Sequence, residues 1–549
     1  MTSTPPTTPP SADDAVAAAR PRTIAPVALA DVAALVGAPA PTADRTLTGV
    51  TLSSRRVLPG DLYVALPGAR AHGADFAADA VAAGAVAVLT DADGAARVRS
   101  AVPLDSATPE VPVLVVDAPR SVLGRVAAHV YGEPAARMAT VAVTGTQGKT
   151  TTTRLAEAAL TAAGVPAAVV GTVGTRVRGT DVATALTTPE APDLHGLFAR
   201  MVEADVEVCA MEVSSHALVL GRVDGVVFDV AVFTNLGRDH LDFHADVEEY
   251  FAAKASLFTP ERARRALVNV DDEHGRRLVD LARAAGLEVR TFSVRAPGPG
   301  SDGVDWWVED VVALAEGSRF TVRGPGGVRV ETAVALPGGF NVANALAALA
   351  ALVEAGQDPE RVAAGLAASG GVPGRLERVD AGQPFTLVVD YAHKPDAIEA
   401  ALGTLRPLTT GRLVLVLGAG GDRDTGKRPV MGRLGAELAD VLVVTDDNPR
   451  TEDPAAIRAA VLAGALAAAS GAGASAEVLE VGDRRAAIRA AVRLAAPGDI
   501  VVVAGKGHET GQEVDGTVHP FDDRVVAAQE VAALLAGGPA DDAPQEPQR

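Results

Sequence analysis

Lys149 and the threonines behind it hold the most legible chemistry in this sequence. Residues 138–153 read MATVAVTGTQGKTTTT: an apolar, β-branched run opens into a glycine-rich turn, then one lysine, then four threonines. Gly145 and Gly148 let the backbone turn its N–H groups inward, toward anionic oxygens. Lys149 adds a mobile positive charge for the terminal phosphates of a nucleotide. The Thr150 hydroxyl can hold Mg²⁺, and a helix starting here aims its positive end at the same oxygens. Thr144, Gly145, Thr146, Gln147, Gly148, Lys149, Thr150 and Thr151 are therefore the expected phosphate-binding residues. The full phosphate-loop pattern places a glycine at position 143, where this chain has Val143, so only the shorter G-x-x-G-K-T remains. A glycine-rich turn with an accidental lysine would look similar, but the upstream strand and the Lys-Thr pair favour nucleotide binding.

Other polar clusters follow apolar runs in the same manner. Residues 206–211 empty into Glu212-Val-Ser-Ser-His216, and 230–234 into Asn235-Leu-Gly-Arg-Asp-His240. Further on, 386–389 lead to Asp390-Tyr-Ala-His393, and 413–417 to Gly418-Ala-Gly-Gly-Asp-Arg-Asp424. Residues 441–445 lead to Asp446-Asp-Asn-Pro-Arg450, and 500–504 to Gly505-Lys-Gly-His-Glu509. Ligands bind beyond the carboxyl ends of strands in open α/β sheets. Six such loops, read as one sheet edge, suggest a site between two facing domains. Glu212 and His240 beside a phosphate-loop threonine make a reasonable Mg²⁺ shell; a helix-end carboxylate and a satisfied core histidine are the plainer alternatives. His393 and His508 fit hydrogen bonds to their own turns, and Asp447-Asn448-Pro449-Arg450 alone would be an ordinary β-turn. Arg423, Arg450 and Glu509 together supply two carboxylate-binding forks and one ammonium-binding anion, a pattern that suits an amino acid.

The elements that must hold these loops are strands alternating with helices. A chain of 549 residues is too long for one core. Residues 1–22 and 537–549 read as disordered tails, with folded domains at 23–136, 137–370 and 371–536. Short strands and helices between 49 and 130 suggest a small α/β domain. Continuous apolar runs at 167–170, 206–213, 230–234 and 266–270 mark a parallel sheet covered on both faces. A β-rich insertion at 288–334 and a helix at 341–355 follow. The third domain has strands at 386–389, 413–417, 441–445, 476–481 and 500–503, with helices at 395–405, 433–439, 454–469 and 486–495. It reads as a doubly wound sheet. A formal charge of −20 argues against broad nucleic-acid binding, and one cysteine, Cys209, excludes a disulfide framework or a cysteine-ligated zinc site. No apolar run is long enough for a membrane span and no signal peptide is evident, so a soluble, cytoplasmic protein is expected.

The combination of TGTQGKTT, MEVSSH, FTNLGRDHLDFH, the lysine of YFAAKASLF, GGFNVANA, GRLE, VDYAHKPD, GAGGDRDTGKRPVMG, TDDNPR and AGKGHE resembles the Mur ligase family. These are ATP-dependent amide-bond-forming enzymes of peptidoglycan precursor synthesis, and the resemblance runs from about Val27 to Ala536. It implies a UDP-binding domain, a P-loop parallel-sheet ATPase domain and a Rossmann-like domain for the incoming amino acid. The implied substrates are ATP with Mg²⁺, UDP-N-acetylmuramoyl-L-alanyl-D-glutamate and meso-diaminopimelate, acting on a monomer. An acyl phosphate forms on the D-glutamyl γ-carboxylate, and domain closure then brings the amine to it.

Position by position, the resemblance makes Lys149, Glu212, His240 and Lys254 the catalytic residues. Thr150, Glu212, His240 and a carbamylated Lys254 serve the metal. Without the family match Lys254 would read as a solvated helix lysine. Asn341 and Asn344 look like adenine-side residues, Arg375 and Asp390 like phosphate and ribose contacts. Leu52, Ser54, Thr187, Thr188, Ser214 and Arg222 match contacts to the UDP-sugar peptide. Arg423, Asp447, Asn448, Pro449, Arg450, Gly505 and Glu509 match the diaminopimelate site. A guanidinium paired with the second carboxylate of diaminopimelate would disfavour lysine, which lacks it. The chain departs from the family pattern at Ser53-Ser54-Arg55, where Asp-Ser-Arg is usual, at Leu220, where a polar residue is expected, and at Gln147, where Asn is common.

Overall fold

The computed structural model describes residues 20–41, 43, 45–102, 111–237, 239, 243–296, 303–314, 316–469 and 476–537. The chain divides into two compact units. The first comprises Met1–Glu309, Thr321–Thr332 and Ala343–Ser369; the second comprises Asp310–Phe320, Ala333–Val342 and Gly370–Arg549. Most residues of the expected first and central domains fall in the first unit, while 310–320 and 333–342 of the expected central domain fall in the second.

Within the first unit, a small sheet runs Gly49–Thr51, Asp61–Val64, Ala87–Thr90, Val113–Val115, all parallel. Residues 20–22, expected in a disordered tail, are instead tied down. Arg20 is buried and donates to both carboxylate oxygens of Asp61, at 2.7 and 2.8 Å. The Arg22 and Thr23 amides donate to Glu203. Paired charge and filled hydrogen bonds are what allow that burial. Apart from Gly537, the rest of the expected tails lies outside the described residues.

The large sheet has the order Thr180–Val182, Thr175–Val177, Ala167–Val170, Val208–Glu212, Ala139–Thr144, Phe228–Phe233, Ala263–Asn269, Glu288–Ser293, Trp306–Leu314, with Gly317–Arg323 and Arg329–Val334 beyond. Pairing is parallel from Ala167–Val170 through Trp306–Leu314. The phosphate-loop strand Ala139–Thr144 lies between the strands that end in Glu212 and Phe233. Its residues from Thr140 onward are buried, as expected for a strand covered on both faces. The helix Lys149–Ala162 opens with four consecutive buried threonines, a poor helical run by propensity. Thr153 bonds back to the Lys149 and Thr150 carbonyls at 3.1 and 3.2 Å. Cys209 is buried, and that burial pushes its thiol up to about 12.

The second unit is built on the order Glu377–Arg378, Thr386–Asp390, Ile500–Ala504, Leu413–Leu417, Val441–Val444, Glu477–Glu480. All pairs but the first are parallel. The six motif loops therefore do not share one sheet: two leave the large sheet and four leave this one. The helix expected at 433–439 begins earlier, as Lys427–Leu438, and its first turn holds Arg428 buried in a bidentate pair with Glu452. Two further elements have no counterpart among the expected ones. One is the hairpin Gly511–Val514 and Thr517–Pro520. Its turn is Asp515-Gly516, both with positive φ, the dipeptide signal of a tight hairpin. The other is the helix Asp523–Leu535. Among the described residues no helix is long and apolar enough to cross a membrane.

Beneath the second sheet's loops lies a fully buried ion pair. Arg484 meets Asp523 through two bonds of 2.8 and 2.6 Å, and both side chains are 0% exposed. The same guanidinium donates to the carbonyls of Asp446 and Ala504 at 3.2 and 3.0 Å. It thereby fixes the ends of two strands that carry motif loops. Replacing Asp523 with Ala strands that cation, and denaturant unfolding should show a loss of about 3–5 kcal/mol, whereas surface changes on the same helix should cost about 0.5 kcal/mol or less.

Candidate functional site

Gly145 (φ +148) and Gly148 (φ +88) shape the phosphate loop. A β-carbon on Gly145 would lie 2.0 Å from Thr234 Oγ1, and one on Gly148 would lie 2.4 Å from Asn344 Oδ1. Neighbouring chain segments brace the loop from outside. Thr234 Oγ1 donates to the Gln147 carbonyl at 2.6 Å, the Asn235 amide pairs with Gln147 at 2.9 and 3.1 Å, and the Gly237 amide donates to Thr146 Oγ1 at 2.8 Å.

Two lysines converge on one acceptor. Lys149 Nζ donates to the Gly145 and Thr146 carbonyls at 2.8 and 3.0 Å. Lys254 Nζ donates to the same Gly145 carbonyl at 2.8 Å. Lys254 is not the solvated lysine its sequence suggests: it is 1% exposed and sits 4.3 Å over the Tyr250 ring. The side chain of Asp246 caps the helix that carries it, Val247–Ala255. Burial first, and the Lys149 charge second, hold the Lys254 ammonium well below the usual lysine range, while Asp239 pulls the other way. Burial also pushes the Tyr250 hydroxyl up to about 12, and Tyr250 lies 3.2 Å from Thr146 Oγ1.

Glu212 ends the strand beside the phosphate-loop strand and is 1% exposed. Thr150 Oγ1 donates to Glu212 Oε1 at 2.9 Å. Thr172 holds both carboxylate oxygens, its amide to Oε1 at 2.8 Å and its hydroxyl to Oε2 at 3.1 Å. The carboxylate and hydroxyl expected to serve Mg²⁺ are thus adjacent hard oxygen donors, the set that ion prefers. His240, expected beside them, lies outside the described residues.

Residues expected at the sugar peptide gather around Glu212. The Thr187 hydroxyl meets Thr172 Oγ1 at 3.1 Å, and Thr188 Oγ1 donates to the Glu212 carbonyl at 2.8 Å. Ser214 Oγ caps the helix Ser215–Val219. Arg222 reaches the Thr188 carbonyl at 3.3 Å and Glu190 at 2.9 Å. At Leu220 the structure uses the backbone: Arg120 donates to the Leu220 carbonyl at 3.2 Å and to Glu190 at 3.1 Å. Leu52 packs on the small sheet's core and Ser54 opens the turn Ser54–Arg56. Neither hydrogen-bonds to the Glu212 cluster among the described residues. Asn344 adjoins Gly148, and Asn341 donates to the Pro337 carbonyl at 2.8 Å.

In the second unit, the Asp390 carboxylate accepts from the Leu376 and Ala392 amides at 2.7 and 2.8 Å, and Arg375 lies over the Tyr391 ring. His393 Nδ1 is 2.8 Å from the Tyr391 carbonyl, and burial pulls its imidazole down to about 4. Arg450 adopts a left-handed backbone (φ +54) and donates to the Gly421 carbonyl at 2.5 Å. Asn448 donates to Glu509 Oε2 at 2.8 Å. Asp447 is so close to Gly505 that a β-carbon there would lie 2.2 Å from Asp447 Oδ2. These loops are therefore one assembly, while Arg423 is exposed. The residues unassigned from sequence are Thr172, Glu190, Asn235, Tyr250 and Lys506. Thr172 and Glu190 lie in no motif, while Asn235, Tyr250 and Lys506 stood inside FTNLGRDHLDFH, YFAAKASLF and AGKGHE without a role of their own.

Comparison with known proteins is consistent with this layout. Three segments match in order: residues 46–131 the Mur ligase family catalytic domain, 143–352 the Mur ligase middle domain, and 374–507 the Mur ligase glutamate ligase domain. The UDP-N-acetylmuramoyl-L-alanyl-D-glutamate–2,6-diaminopimelate ligase of Streptomyces avermitilis is 52% identical over 512 residues, 93% of this chain and 98% of that protein. The UDP-N-acetylmuramyl-tripeptide synthetase of Leifsonia xyli is 43% identical over 495 residues, 89% of this chain and 93% of that protein. A solved structure of a UDP-N-acetylmuramoyl-L-alanyl-D-glutamate–2,6-diaminopimelate ligase superposes with a TM-score of 0.63 at 32% identity, covering 89% of this chain and 96% of that one. With half its residues shared across nearly the full length of such relatives, and with the family's three domains in order, the chain belongs to the Mur ligase family.

Proposed function

We propose that this chain is the ATP-dependent ligase that joins meso-2,6-diaminopimelate to the D-glutamyl γ-carboxylate of UDP-N-acetylmuramoyl-L-alanyl-D-glutamate. The observation that carries the amino-acid assignment is the joined assembly of Asp447, Asn448, Arg450, Gly505 and Glu509, in a chain 52% identical to the diaminopimelate ligase of Streptomyces avermitilis. The γ-carboxylate oxygen attacks the γ-phosphorus of ATP, the bond to the bridging oxygen breaks, and ADP leaves. The diaminopimelate amine then attacks the acyl carbon, the C–O bond breaks, phosphate departs and the amine loses a proton.

Lys149 exchanges its loop carbonyls for phosphate oxygens and neutralises charge on the moving group. Thr150 and Glu212 are the oxygens that would hold Mg²⁺, which when bound supplies further charge neutralisation. Arg450 pairs with a carboxylate of the amino acid, and Glu509 accepts from an ammonium. Arg375 and Asp390 serve the nucleotide.

Lys254 is proposed to act as its carbamate. The neutral amine attacks CO₂, an N–C bond forms and the proton leaves. Burial and the neighbouring Lys149 charge already favour that neutral amine. The product anion converts a like-charge pair on the Gly145 carbonyl into an opposite-charge one.

Phosphate release with ATP, Mg²⁺ and the UDP-linked dipeptide should require diaminopimelate and be at least about a hundredfold slower with lysine; equal rates would refute the assignment. In Arg450→Gln, the KM for diaminopimelate should rise about tenfold or more with the ATP KM unchanged, and equal rises would remove Arg450 from the amino-acid site. Lys254→Ala should lose about a hundredfold or more in activity and regain part of it with millimolar formate or acetate. Failure of every short carboxylate to restore a folded variant would count against the carbamate.

A further inference from the structure

Lys506 is a lysine with 0% side-chain exposure, placed among the loops just assigned to the amino acid. An ammonium in such a position requires nearly complete hydrogen bonding. It has three acceptors: Asn448 Oδ1 at 3.1 Å, Glu509 Oε2 at 3.3 Å and the Gly511 carbonyl at 2.5 Å. Asn448 Oδ1 also accepts the Glu513 amide at 3.0 Å. Two donors directed at one amide atom require that atom to be oxygen, because an NH₂ group accepts from neither. The Asn448 NH₂ is thereby turned toward Glu509 Oε2, 2.8 Å away.

We propose that Lys506 is a positioning residue for amino-acid specificity. It sets the orientation of the Asn448 amide and binds one oxygen of Glu509, leaving the other oxygen of that partly exposed carboxylate to receive a substrate ammonium. Among the described residues Oε1 has no hydrogen bond, and the Glu509 side chain is 33% exposed. The Lys506 ammonium is a fixed internal partner, so the incoming ammonium meets a carboxylate already aligned instead of a mobile one. Because Asn448 belongs to the Asp447–Arg450 loop and Glu509 to the Gly505 loop, the lysine also ties the carboxylate-binding end of the site to its ammonium-binding end. This inference rests on the diaminopimelate reading above.

Lys506→Met keeps the length and apolar stem while removing the charge. The KM for diaminopimelate should rise about tenfold or more, with the KM values for ATP and the UDP-linked dipeptide within about twofold. In a Glu509→Gln background the same change should add little, since Lys506 acts through Glu509. Equal rises in all three KM values, an unchanged diaminopimelate KM, or additive effects in the double variant would overturn the proposal. Should Lys506→Met fail to fold, Asn448→Asp keeps the acceptor for Lys506 but turns an oxygen toward Glu509. It should weaken diaminopimelate selectively, and an unchanged KM would overturn the proposal in its turn. If wild-type enzyme instead uses a different amino acid, the diaminopimelate reading falls, and the same comparison of KM values made with that amino acid decides the role of Lys506.

Discussion

The carbonyl oxygen of Gly145 receives two ammonium groups, one from the helix that begins the phosphate site and one from a helix far along the chain. The first unit depends on this arrangement. A carbonyl can accept two donors, but two like charges a few ångströms apart in a buried setting repel strongly. The cost is relieved by losing a proton, by adding an anion, or by both. A site that must receive a polyphosphate has reason to hold such a reserve of positive charge: each incoming oxygen removes a repulsion as well as making a contact.

The same economy governs Glu212. A buried carboxylate needs its lone pairs met, and here Thr150 and Thr172 meet them. Both donors are hydroxyl or amide groups that can give way to, or share with, a cation. The carboxylate is oriented by neutral hydrogen-bond donors. In the second unit the opposite choice is made: Glu509 and Asn448 are held by a cation, Lys506, which trades charge for alignment.

The strands were legible because parallel-sheet strands are continuous apolar runs, and the residues at their ends announced the phosphate loop and Glu212. The pairing of Thr150 with Glu212 followed from strand order, which alternation alone does not reveal. Other features were hidden for physical reasons. Lys254 looks like a surface residue because one lysine in a helix has no periodic signature, and only its likeness to the YFAAKASLF motif marked it. Arg484 and Asp523 are 39 residues apart with ordinary neighbours, so no local pattern exposes their pairing. The hairpin around Asp515-Gly516 went unread because its strands are too polar to read as sheet. The six loops read as one edge belong to two sheets, because a sequence shows where strands end but not which strands pair.

That remote pairing bears on the order in which the chain acquires its parts. Ribosomes release residues from the amino terminus, and domains generally form as they emerge. The strands ending at Val444 and Ala504, and Arg484 between them, all appear before Asp523. Until that carboxylate arrives, the guanidinium beneath the amino-acid loops lacks its counter-charge, and the two strand ends it grips are not secured. The phosphate loop, Glu212 and Lys254 carry no such debt to the last helix. Vectorial synthesis therefore completes the phosphate loop first and the amino-acid site last.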